Sequence, residues 1–102
     1  MTIDKHKRMI SNNYTQWVST LPCSECGIDD DTVVAHHLKG IYSPLSGGAG
    51  LKASDYFTMP LCYKHHTAIH NGDKDLLEWQ PYYILVTLDK AFKDGVILFY
   101  DK

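Results

Sequence analysis

Cys23 and Cys26 are separated by two residues, and Cys62 and His65 repeat that spacing further along the chain. A turn can present either pair to one ion, and together they make a Cys₃His set suited to tetrahedral zinc. Thiolate and imidazole ligands match zinc better than magnesium or calcium. A single Cys-x-x-Cys can also be a redox pair. Two chelating pairs in one chain argue for a closed, four-ligand, structural site that clips the turn after a first helix to the start of a later one. His66 and His70 lie one helical turn apart on the same face, so they can grip a second ion. His36 and His37 are adjacent on a segment that reads as a strand, and their side chains then point to opposite sides. One is placed to join the helix pair on the ion and the other to face substrate or water. Three histidines with open positions describe a catalytic metal site. By spacing alone either His65 or His66 can complete the cysteine set. His65 is preferred because it leaves His66 in register with His70. His6 stands apart from both clusters and reads as a surface histidine.

The elements that must hold these groups follow from periodicity. Ile3, Ile10, Tyr14, Trp17 and Leu21 recur at helical spacing and predict a helix over residues 5–20, stopped by Pro22. The β-branched run from Thr32 to Leu38 predicts a strand carrying His36 and His37. Residues 39–54 contain Pro44 and several glycines, which predicts a long loop. A short second strand is expected over Tyr56–Leu61, then a helix over Tyr63–His70 closed by Asn71-Gly72. Pro81 is placed to open a last helix over Tyr82–Lys93, and Val96–Tyr100 reads as a short strand.

The fold class expected is α+β, with residues 1–102 as a single domain, a core over about 14–70 and a helical tail over about 71–102. A chain of 102 residues buries a modest core, which metals often supplement. No apolar run is long enough to span a membrane. The basic N-terminus lacks the apolar stretch of a signal peptide. Three cysteines cannot all pair as disulfides and suit a reducing compartment, so the cytoplasm is the expected location. The formal charge of −2 excludes a protein that coats nucleic acid by bulk charge. Residues 1–70 hold six Lys/Arg and six Asp/Glu, whereas residues 71–102 hold four and six, so the tail carries the whole excess.

Taken together, Ala35-His36-His37-Leu38, a glycine-containing loop and Met59-Pro60-Leu61-Cys62-Tyr63-Lys64-His65-His66-x-x-x-His70 resemble the HNH, or ββα-metal (His-Me finger), endonucleases. Trp17-Val18-Ser19-Thr20-Leu21-Pro22-Cys23-Ser24-Glu25-Cys26 and Gly48-Ala49-Gly50-Leu51-Lys52-Ala53-Ser54-Asp55 bring the likeness closer to phage recombination-enhancement (RecA-dependent) nucleases. The resemblance covers about residues 14–70. It implies a small ββα-metal core with a structural zinc on Cys23, Cys26, Cys62 and His65. It implies further that His36, His66 and His70 bind the catalytic divalent ion (Mg²⁺, Mn²⁺, Ni²⁺ or Zn²⁺) and that His37 is the general base. The middle asparagine of the HNH pattern has no clear counterpart. Asp55 stands nearest as an orienter of His37, two residues further from Cys62 than the pattern expects.

The chemistry implied is hydrolysis of DNA phosphodiesters. His37 would take a proton from water, the ion would act as a Lewis acid, and Lys52 could contact a neighbouring phosphate. The expected partners are DNA and a recombinase or other recombination protein, with no membrane and the oligomeric state open. Two alternatives stand beside this: a non-catalytic zinc module that contacts DNA or protein, and a structural or inhibitory protein built on a degenerate nuclease fold.

Overall fold

The computed structural model describes residues 8–47, 51–98 and 100. Its elements are α1 (Asn12–Val18), β1 (Val34–His37), β2 (Thr58–Leu61), α2 (Tyr63–His70) and α3 (Lys74–Lys93). It is a small α+β fold in which two antiparallel strands are flanked by helices. β1 and β2 pair in the register Val34–Leu61, Ala35–Pro60, His36–Met59 and His37–Thr58. Strand alternation sends successive side chains to opposite faces. Met59 and Leu61 join the main core with Ile69 of α2 and Leu76 and Ile84 of α3. Ala35 turns the other way, onto a smaller cluster built on Tyr14 and Val18 of α1 and Ala91 of α3.

The first helix is shorter than its periodicity predicts. It begins after Ser11, whose backbone is extended and whose hydroxyl accepts from Tyr14 N–H, an N-cap that satisfies an otherwise orphaned donor. Ahead of it, Met9 and Ser11 bond Ser54 and Asp55 across the molecule, and that pairing draws this stretch out of the helix. Ile3 lies outside the described residues. The helix also ends before Pro22, where the Ser19 and Thr20 hydroxyls donate to the Gln16 and Trp17 carbonyls. α2 has the predicted bounds, with Gly72 at φ 89° just past the Asn71 cap.

Pro81 does not open the last helix. α3 starts at Lys74, capped by the Asp73 carboxylate on Leu76 N–H, and carries Pro81 in its interior. Proline cannot donate to the carbonyl four residues back. Here the Gln80 side-chain amide donates to that carbonyl, Leu77 O, at 3.0 Å instead. The strand expected over Val96–Tyr100 is absent at its described positions. Val96 and Ile97 donate back to Ala91 O, and Ile97 packs on the Tyr14–Val18–Ala91 cluster. In the long loop, Gly47 sits at φ 85°, and a Cβ there would lie 2.3 Å from Leu51 O. No helix among the described residues is long and apolar enough to cross a membrane.

Candidate metal centres and the cleft beside them

Cys23 and Cys26 flank a turn in which Gly27 N–H donates to Cys23 O and Cys23 N–H donates to Ile28 O. Ser24 N–H donates to Pro60 O at 2.8 Å, fastening this knuckle to β2. Cys62 stands immediately after β2, and His65 lies on the first turn of α2. The four ligand atoms lie within 4.8 Å of one another. Cys26 Sγ and Cys62 Sγ are 3.8 Å apart, and His65 Nδ1 is 3.3 Å from Cys62 Sγ and 3.7 Å from Cys23 Sγ. A tetrahedron with Zn–S bonds of about 2.3 Å puts its sulfurs about 3.8 Å apart, so the spacing fits zinc. No disulfide competes for the described thiols. Burial works against the Cys23 thiolate, but the backbone amides of Cys62, Cys26 and Glu25 and the Cys26 thiol turn toward its sulfur. They outweigh burial and hold that thiol below its usual value.

A second group comprises His36, His66 and His70, whose ligand atoms also lie within 4.8 Å of one another. His66 Nε2 and His70 Nε2 face each other at 3.0 Å across one turn of α2. His36 comes from β1 and is buried, with Nε2 3.0 Å from Gln80 Oε1. Burial pushes its imidazole down to about 4, opposed by the Gln80 contact and reinforced by the neighbouring histidines. Burial, His70 and Lys39 together lower His66. Both histidines are therefore held neutral, the form that ligates metal. Each of the two groups can chelate an ion, and neighbours on α2 are divided between them: His65 goes to the cysteines and His66 to the histidines.

His37 leaves β1 on the opposite face from His36. Its Nε2 donates to Asp55 Oδ1 at 2.8 Å. Asp55 also pairs with Arg8 and accepts from Ser11 N–H at 2.8 Å. Burial resists the charge on Asp55, but these partners outweigh it and hold the carboxyl below its ordinary value. An ionised Asp55 accepts from His37 Nε2–H and leaves Nδ1 as the basic nitrogen. A cleft of about 630 Å³ opens over both histidine faces, lined by His36, His37, His66, His70, Lys39 and Lys52, with no carboxylate among its described lining residues. A second cleft of about 570 Å³ shares His37 and Lys52 with the first and extends to Arg8, Asn12 and Gln16.

A family model described as "Protein of unknown function (DUF968)" matches residues 1–95. The chain belongs to the DUF968 family. It is 38% identical over 100 residues to the "Uncharacterized protein YdfU" of Escherichia coli (strain K12), an alignment covering 95% of this chain. The chain spans 27% of that relative's length. No solved structure matches.

In this DUF968 domain the structure groups Cys23, Cys26 and Cys62 with His65 and sets His36 with His66 and His70, a choice that spacing alone left open and the resemblance implied. It also sets Asp55 against His37 and places Lys52 on the wall of both clefts. Sequence reasoning missed Arg8, Lys39 and Gln80. Arg8 and Lys39 carry no local signal, because their partners lie far away in sequence. Gln80 does leave one, since it falls in helical register with Leu76 and Ile84 on the buried face of α3.

Proposed function

We propose that this domain is a metal-dependent endonuclease of the ββα-metal kind, acting on DNA phosphodiesters. The observation that carries the reading is that His37, held by Asp55, lines the same cleft as the three-histidine cluster. Hydrolysis of a phosphodiester needs a base for the attacking water and charge stabilisation at phosphorus. His36, His66 and His70 would hold the cation, and three imidazoles suit a borderline ion such as zinc or nickel. A divalent ion, when bound there, would supply Lewis acidity toward the phosphoryl and leaving oxygens. His37 Nδ1 takes the proton of water, and Asp55 holds the ring in place and stabilises the imidazolium that forms. Lys39 and Lys52 line that cleft and would meet the phosphates of a bound strand. Cys23, Cys26, Cys62 and His65 would hold a structural zinc. The resemblance to phage recombination-enhancement nucleases supports a role in DNA recombination or processing, with a recombinase as a candidate partner.

The deciding experiment is nicking of supercoiled plasmid by zinc-loaded protein in the presence of added Mg²⁺, Mn²⁺, Ni²⁺ or Zn²⁺, with His37→Ala in parallel. Metal-dependent nicking that disappears in the variant supports the reading, and no nicking with any ion overturns it.

A second reading is a non-catalytic zinc module that binds nucleic acid or protein. It draws on the Cys₃His set, which needs no catalysis to explain it, and on Trp79 and Tyr82, each more than half exposed on α3. DNA binding without nicking by the metal-loaded protein favours this module.

A further inference from the structure

Two polar side chains, Gln80 and Thr87, lie buried on α3, Gln80 completely. Thr87 only returns its hydroxyl to Tyr83 O of its own helix. Gln80 reaches out of the helix. Its Oε1 accepts from Lys39 N–H at 3.0 Å and sits 3.0 Å from His36 Nε2. Its Nε2 donates to Lys39 O at 2.8 Å and to Leu77 O at 3.0 Å.

These contacts leave one assignment of the amide. The Lys39 N–H can only donate, and the two carbonyls can only accept. Exchanging the amide oxygen and nitrogen would set donor against donor and oxygen against oxygen at three contacts. Oε1 is therefore the acceptor that faces His36, and His36 Nε2 must carry hydrogen. A neutral imidazole has one N–H, so the lone pair of His36 resides on Nδ1.

We infer that Gln80 is a positioning residue for the three-histidine cluster, fixing His36 in its Nε2–H form and committing Nδ1 to the cation. Gln80 acts through His36 and does not itself ligate. Residues that orient metal-bound histidines through the second ring nitrogen tune affinity strongly. Gln80 is pinned to the Lys39 backbone just past β1 and to Leu77 of its own helix, so ring and helix are held to one another. The inference rests on the metal-binding half of the proposed function and not on phosphodiester cleavage. A protein that binds a cation at the histidines but nicks no DNA would sink the nuclease and leave Gln80's role standing.

The test uses full-length protein labelled with a nitrogen isotope and loaded with an NMR-active cadmium isotope. Coupling between cadmium and the imidazole nitrogens identifies the ligating atom of each histidine. The expected result is coupling to Nδ1 of His36; coupling to its Nε2 overturns the inference. Calorimetry of the second cation then compares Gln80→Met, which removes the acceptor at similar size, with Gln80→Glu, which keeps one. Gln80→Met should weaken the histidine site about 10–100-fold without displacing the cysteine-bound ion. Gln80→Glu keeps an oxygen toward His36 but sets a second one against the Lys39 and Leu77 carbonyls, so it should lose less than Gln80→Met. Equal affinities for parent and Gln80→Met, or equal losses in both variants, overturn it. Should Gln80→Met fail to fold, the cadmium coupling in the parent still decides.

Discussion

Adjacent residues on β1 face different environments. His36 is sealed among α2 and α3, while His37 meets Asp55 beside the open cleft. Their substitutions should therefore fail in different ways. His37→Ala should bind both ions with near-parent affinity yet nick DNA at least ~100-fold more slowly, the usual scale for losing a general base. His36→Ala should weaken the second ion. Calorimetry beside nicking rates checks both, and the opposite pattern would mean that the two roles are exchanged. Asp55 adds a pH signature. Its carboxyl is held below its ordinary value in the fold, so it binds protons less readily there than in the unfolded chain. Its contribution to stability is then full above the unfolded value of about 4 and is lost as pH falls through the lower folded value. Asp55→Asn should flatten that part of the acid-unfolding curve, read by circular dichroism against the parent protein. An unchanged curve would mean that the Arg8, Ser11 and His37 contacts contribute nothing net.

At the scale of elements, the parts written in local spacing were legible. Cys-x-x-Cys, Cys-x-x-His and His-x-x-x-His are chelating distances set by one turn of chain, and α2 follows directly from its spacing and its Asn71-Gly72 stop. What failed were boundaries decided by distant partners. Residues 8–11 leave the first helix because the Ser54–Asp55 backbone and side chains offer them bonds. Pro81 looked like a helix start because its lost hydrogen bond is usually prohibitive inside a helix. Gln80 supplies a substitute donor to Leu77 O, which no local rule anticipates. Pro81→Ala removes the ring and restores the main-chain donor. It should stabilise the zinc-loaded protein by about 1 kcal/mol or more, from the proline–alanine difference in helix interiors. Thermal unfolding would read this as a rise of roughly 4–8 °C per kcal/mol; a fall would show that the helix depends on proline at this position.

For the molecule as a whole, two ions would be expected to do different work. Cys62→Ser removes a ligand from the set that joins the knuckle, β2 and α2. Structural zinc can supply on the order of 10 kcal/mol of apparent binding energy in a small domain, so this variant should lose zinc and much of its circular dichroism. His70→Ala should keep the cysteine-bound zinc and the fold while losing the second ion and the nicking. Metal analysis on both proteins checks the division, and a zinc-free but fully folded Cys62→Ser would remove the structural role. The acidic excess of the C-terminal residues also takes on a spatial meaning. Among the described residues, the cleft beside the histidines is lined by Lys39 and Lys52 and by no carboxylate, so net charge alone misjudges which face a polyanion would meet.

His65 and His66 are consecutive residues on one short helix, yet they belong to different ligand groups. Two bound ions would therefore share a lever. Zinc held by Cys62 and His65 would anchor the first turn of α2, and that same turn carries His66 toward His70 and His36. Occupancy of the cysteine set then lowers the ordering cost at the histidine set, and linkage requires the reverse to hold equally. If the four-ligand cysteine set binds its ion the more tightly, a titration of chelator-stripped protein should fill the cysteines first and should show weaker histidine binding whenever that step is blocked. A nascent or zinc-starved copy would thus hold its second cation only weakly until its scaffold is complete.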